Sequence, residues 1–131
     1  MIPAWVAGYI GIPFEGKGRT REGCDCYGLL RLVELEQFAQ MLPEYSDYDP
    51  GNQEEEARLI DERLPLIGAS RVESPEAGDI VQLRYLGAPS HVGVFVGDGM
   101  VLHTAPKKGV VLESLSSVNL ASRIVGYFRI R

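Results

Sequence analysis

The amino-acid sequence predicts an α+β domain, with N-terminal helices packed on a curved antiparallel sheet of about five strands. Three observations carry that expectation. Apolar residues recur at helical spacing in the first half of the chain, short β-type runs fill the second half, and the connections between those runs are far too short for parallel crossovers.

Taken in order, Ala4 to Ile10 is expected to form a short helix after Pro3, ending at Gly11 and Pro13. From Phe14 to Gly23 the glycines and charges of FEGKGRTREG interrupt either periodicity, and the stretch reads as a loop. Leu29, Leu32, Val33, Leu35 and Phe38 then mark a helix from Cys26 to Met41. Asp25 is its N-cap, because a carboxylate there can accept from first-turn N–H groups that have no partner within the helix. Pro43 stops this helix and Tyr45 to Gly51 is rich in turn residues. A second, polar-faced helix covers Gln53 to Leu64, with Leu59, Ile60 and Leu64 as its apolar side, and Pro65 and Gly68 end it. Asp79 to Tyr85, His91 to Val96, Met100 to His103, Gly109 to Leu112 and Ile124 to Ile130 read as strands, with Gly97 to Gly99 as the hairpin turn between the second and third.

The chain has 131 residues, 13 basic and 18 acidic, for a formal charge of -5 with both histidines neutral. With 45% hydrophobic and 24% charged residues it has the composition of an ordered fold, and its length suits a single domain over residues 1–131. The acidic balance argues against a nucleic-acid partner, since Lys17, Arg19, Arg21 and Arg31 make only a short basic cluster. No apolar run reaches the roughly 18 to 20 residues of a membrane span. The opening MIPAWVAGYIGIPF lacks the basic and apolar regions of a signal peptide. The expectation is a chain made in the cytoplasm, unless it leaves by lysis or inside a larger particle.

Cys24 and Cys26 are too few and too close to staple a secreted mini-protein, and a bond between them would need a strained local ring. A thiol in the first turn of a helix is a candidate nucleophile, because unpaired amides and aligned peptide dipoles lower its pKa; packing as a small apolar residue is the competing reading. His91 opens one strand and His103 closes the next. Across a hairpin centred near Asp98, residue 91 pairs roughly with residue 105, which brings the two imidazoles to the same end of neighbouring strands. Together with Cys26 they supply a nucleophile, a base and an orienting group. Zinc is the competitor for these side chains, but CxC followed far downstream by two histidines matches no usual structural zinc spacing. Cys24 reads as structural, and Lys107 and Lys108 as an exposed turn.

The segment YIGIPFEGKGRTREGCDCYGLL, followed by PEAGDIV, SHVGVFVGDG and MVLHTAPKKGVV, resembles the NlpC/p60 cysteine peptidases, and in particular the small versions encoded with phage tail or prophage modules. The resemblance spans Tyr9 to about Val111 and weakens over residues 43–72, which reads as a variable helical insertion. It implies a papain-like fold with Cys26 as nucleophile, His91 as general base and His103 as the third, orienting residue. It also implies hydrolysis of an amide bond in peptidoglycan stem peptides, commonly between D-glutamate and a diamino acid, with no metal or organic cofactor. Association with phage tail proteins, in the virion tail or on release at lysis, is a further implication. Family members often carry a tyrosine about twelve residues before the nucleophile and a small residue after it. Here those positions hold Phe14 and Tyr27, which bears on substrate recognition. Asp25 is a helix cap, a substrate contact, or both, and Gly28 allows close approach beside the helix start. Two alternatives use the same fold: a tail-assembly or adaptor subunit docking through the acidic helix NQEEEARLIDERL, and an amidase or acyltransferase with the same cysteine and histidines.

Overall fold

The computed structural model describes residues 1–130. The chain opens with a 3-10 turn, Ala4–Gly8, shorter than the helix expected there. The stretch read as a loop contains a two-stranded ribbon, β1 (Arg19–Thr20) and β2 (Gly23–Cys24), in which Arg19 pairs with Cys24. Glycine here serves packing: a Cβ on Gly18 would strike the Gly23 carbonyl, so only a bare backbone lets the ribbon close.

Helix α1 (Cys26–Phe38) starts where the capping argument places it. It ends before Met41 because Ala39 adopts the left-handed conformation (φ 55°) and the N–H groups of Ala39 and Gln40 turn back onto the Glu34 carbonyl. Leu29, Leu30 and Val33 form its buried stripe. Helix α2 (Gln53–Leu66) is capped by Asn52, whose side chain accepts from the Glu55 N–H at 3.1 Å. It runs two residues beyond Leu64 and contains Pro65, which sits in the last turn and removes only one N–H from the helix.

The remaining chain forms β3 (Ala69–Val72), β4 (Ile80–Tyr85), β5 (Ala88–Gly97), β6 (Met100–Ala105), β7 (Gly109–Ser114) and β8 (Ile124–Ile130). Their order is β3-β8-β4-β5-β6-β7 and every pairing is antiparallel, as the short connections require. The sheet is open, with β3 and β7 as its edges, and has six strands where a curved sheet of about five was expected. The added strand is β3, whose four residues pair with the distant β8, Ala69 opposite Ile130. It lies within the segment assigned to a helical insertion. The β5–β6 turn is Asp98-Gly99, both residues at positive φ (52° and 68°), the twist that suits a two-residue hairpin.

One core fills the space between the helices and the sheet, where Leu29, Leu30 and Val33 of α1 meet Val92, Val94, Val96 and Leu102. A smaller cluster of Val81, Leu83, Phe95, Val101, Leu115 and Leu120 covers the other face. The central strands β4, β5 and β6 are therefore packed on both sides, which makes their ends rigid supports for side chains. Among the described residues no helix is long and apolar enough to cross a membrane.

Candidate active site

At the start of α1 the Asp25 carboxylate does the capping that its position predicts. One oxygen accepts from the Gly28 N–H at 2.8 Å and from Arg19 Nη1 at 2.9 Å, and the other from the Lys17 N–H at 2.9 Å and from the Tyr48 hydroxyl. With four donors on a buried carboxylate, Asp25 is fully occupied within the protein. Gly28 is required beside it: a Cβ there would collide with the Gly18 carbonyl oxygen. The glycine thus lets the β1–β2 ribbon close against the helix start.

Cys26, the first residue of α1, opens into a cavity of about 570 Å³ that is also lined by His91 and His103. Its thiol departs from the expectation for a helix N-terminus. Burial pushes it up to about 12, with the Asp25 carboxylate acting in the same direction, while the Val92 and Tyr27 backbones oppose the shift. Desolvation of the thiolate outweighs the dipole of the helix. Cys24 is buried in β2, also raised by burial, to about 11, and both cysteines are free thiols.

The two histidines come together as the hairpin argument requires. Continuing the β5–β6 register from Val94 opposite Leu102 sets His91 diagonally across from His103. His91 Nε2 lies 3.1 Å from His103 Nδ1 and the rings are edge-to-face at 5.3 Å. Gly93 makes this possible, since a Cβ there would stand 2.7 Å from Val101 Cγ2 and 3.1 Å from His103 Cβ. Burial lowers His91 to about 3, with His103 and Arg123 adding to the shift. It also lowers His103, against the pull of Glu113. Both imidazoles are therefore neutral near pH 7.

A fourth residue, absent from the sequence reading, completes the row. Glu113 on β7 places Oε1 2.9 Å from His103 Nε2, and its Oε2 accepts from Ser117 Oγ at 3.1 Å and Asn119 Nδ2 at 3.0 Å. Burial opposes its ionisation, but the bonds from Asn119, His103 and Ser117 hold the carboxyl below its ordinary range. The only signal in the sequence is the register of a second hairpin, which sets Glu113 opposite Val101.

The far wall comes from the 43–72 segment, through Tyr45, Tyr48, Glu56, Ile60, Arg63 and Leu64. Arg19 holds it in place, donating to the carbonyls of Glu44 (2.9 Å) and Tyr45 (2.6 Å) and to the Tyr48 hydroxyl (2.9 Å) while paired with Asp25. Tyr27 turns toward this wall: its hydroxyl donates to the Pro43 carbonyl at 2.5 Å and its ring meets that of Tyr45 at 5.7 Å. Phe14 stands half-exposed at the cavity rim.

Residues 11–129 match the NlpC/P60 family. The chain is 26% identical over 112 residues, 84% of its length, to the murein DD-endopeptidase MepS/murein LD-carboxypeptidase of Escherichia coli strain K12, and it spans about half (51%) of that relative. Among solved structures, an NlpC/P60 family protein from Bacillus cereus ATCC 10987 superposes with a TM-score of 0.67 at 20% identity, covering 98% of this chain and 41% of that one. The NlpC/p60 domain of the peptidoglycan hydrolase SagA superposes with a TM-score of 0.62 at 20% identity, covering 98% of this chain and 94% of that domain.

Proposed function

The chain belongs to the NlpC/P60 family, and from that premise we propose that it is a cysteine peptidase hydrolysing an amide bond in peptidoglycan stem peptides, between D-glutamate and the diamino acid that follows. The observation that carries this reading is the shared cavity: Cys26 at the start of α1 opens onto the hydrogen-bonded His91–His103 pair. The proposed catalytic unit is the whole chain, with the segment at about 43–72 as its variable part.

The protonation states shape the mechanism. Burial pushes the Cys26 thiol up to about 12 and the His91 imidazole down to about 3, so each favours its neutral form. In the proposed cycle His91 takes the Sγ proton and sulfur attacks the scissile carbonyl. The Cys26 N–H is the proposed donor to the developing oxyanion. His91 then gives the proton to the leaving amine, and water, deprotonated by His91, releases the acyl group from sulfur. His103 orients His91 throughout. No metal or organic cofactor enters this cycle.

Mass spectrometry of purified muropeptides incubated with wild type and Cys26→Ala in parallel tests the proposal. Cleavage by wild type alone supports it and locates the bond, whereas a near-wild-type rate in Cys26→Ala, or no cleavage by either across several wall chemistries, overturns it. Delivery with a phage or prophage tail is proposed on the residue-level resemblance alone, and co-purification with tail particles tests it.

A further inference from the structure

We propose that Glu113 is a positioning residue for this chemistry: acting through His103, it fixes the tautomer of His91 and leaves Nδ1 as that ring's basic nitrogen. The inference rests on the proposed roles of Cys26, His91 and His103.

The argument is a proton count along three contacts. An ionised carboxylate only accepts, so the 2.9 Å contact between Glu113 Oε1 and His103 Nε2 requires the proton on Nε2. In a neutral ring His103 Nδ1 is then a bare acceptor, and the 3.1 Å contact with His91 Nε2 requires a proton on that nitrogen. His91 thereby keeps its lone pair on Nδ1, the nitrogen with no hydrogen-bond partner among the described residues. Ser117 and Asn119 occupy the other Glu113 oxygen and hold the carboxylate in line.

Other groups facing the pair do not reverse this count. Arg123, from the turn before β8, donates from Nε to the Arg84 carbonyl and from Nη1 to Asn119, and Tyr85 on β4 presents its ring to His91 at 6.2 Å. Without Glu113, His103 is free to carry its proton on Nδ1. His91 would then accept at Nε2 and hold its own proton on Nδ1, with no lone pair left there to receive the proton of Cys26. When His91 Nδ1 does take that proton, the charge on the ring is balanced by Glu113 at the end of the row, and no proton leaves His103.

The test is 15N NMR of the full chain with labelled histidine, beside muropeptide turnover. Wild type near pH 7 should show both rings protonated at Nε2. In Glu113→Gln the amide can donate to His103 Nε2, so both rings should move to the Nδ1–H form and kcat should fall about 10²-fold or more with KM little changed. Glu113→Ala should show mixed tautomers and a smaller fall. Wild-type rings protonated at Nδ1, or variants keeping the wild-type tautomers whether or not activity falls, would overturn the proposal. Should wild type cleave no wall peptide, the spectra still decide the tautomers, which separates failure of this inference from failure of the proposed function.

Discussion

On one side of the cavity His91 and His103 are carried by β5 and β6, strands hydrogen-bonded to neighbours along both edges and packed on both faces. On the other side the 43–52 stretch leading into α2 is tied to the domain by side-chain hydrogen bonds, from Arg19 to Glu44, Tyr45 and Tyr48, from Tyr27 to the Pro43 carbonyl and from Tyr48 to Asp25. The first wall is set by a backbone ladder and tolerates almost no displacement. The second is set by side-chain hydrogen bonds, with Arg19 at their centre, so its residues can differ widely while the histidines stay in place. The proposed base and orienter sit on the rigid wall, and the adjustable one shapes the cavity.

The largest expected effect breaks the rigid wall. His91→Ala should abolish hydrolysis as completely as Cys26→Ala, while His103→Ala leaves a weaker enzyme; steady-state kinetics on the cleaved muropeptide separates them, and equal losses would remove the distinction between base and orienter. Arg19→Met tests the other wall. It strands the buried Asp25 carboxylate and releases the carbonyls of Glu44 and Tyr45, so denaturant unfolding should show a loss of about 3 kcal/mol. If this wall only shapes the cavity, KM should suffer more than kcat, and the reverse would show that the clasp also positions the nucleophile.

A smaller effect probes the base of the rigid wall. Glu34 on α1 is buried, its Oε1 has no partner, and burial, with Asp79 adding, pushes it up to about 8. A carboxyl raised above its unfolded value binds more protons in the folded state between roughly pH 4.5 and 8, so its contribution to stability is full below that window and is lost as pH rises through it. Glu34→Gln should therefore match wild type near pH 5 and gain on it by up to about 1.4 kcal/mol per pH unit until about pH 8 in urea melts. A constant difference at all pH values would contradict the burial account. Smallest is Tyr48→Phe, which removes one donor to Asp25 and should cost about 1 kcal/mol in the same melts.

Local signals made much of the fold legible. The helix beginning at Cys26 follows from apolar spacing and an acidic cap, and the central hairpin from its Asp98-Gly99 turn, so the meeting of His91 and His103 is legible in the sequence. What escaped was non-local. β3 is four residues long and exists because β8, far along the chain, offers a free edge. Glu113 resembles any exposed strand glutamate until the β6–β7 register brings it back to His103. Arg19 reads as part of a basic loop, yet it joins the helix start to the cavity's far wall.

The sequence by itself determined the order of elements, the capped cysteine and the paired histidines, because each depends on residues near one another in the chain. Tertiary structure alone decided the cavity's second wall, the carboxylate behind the histidines and the protonation of the cysteine. The helix dipole that favours a thiolate is a local property, but the loss of solvent that outweighs it comes from every element packed around Cys26.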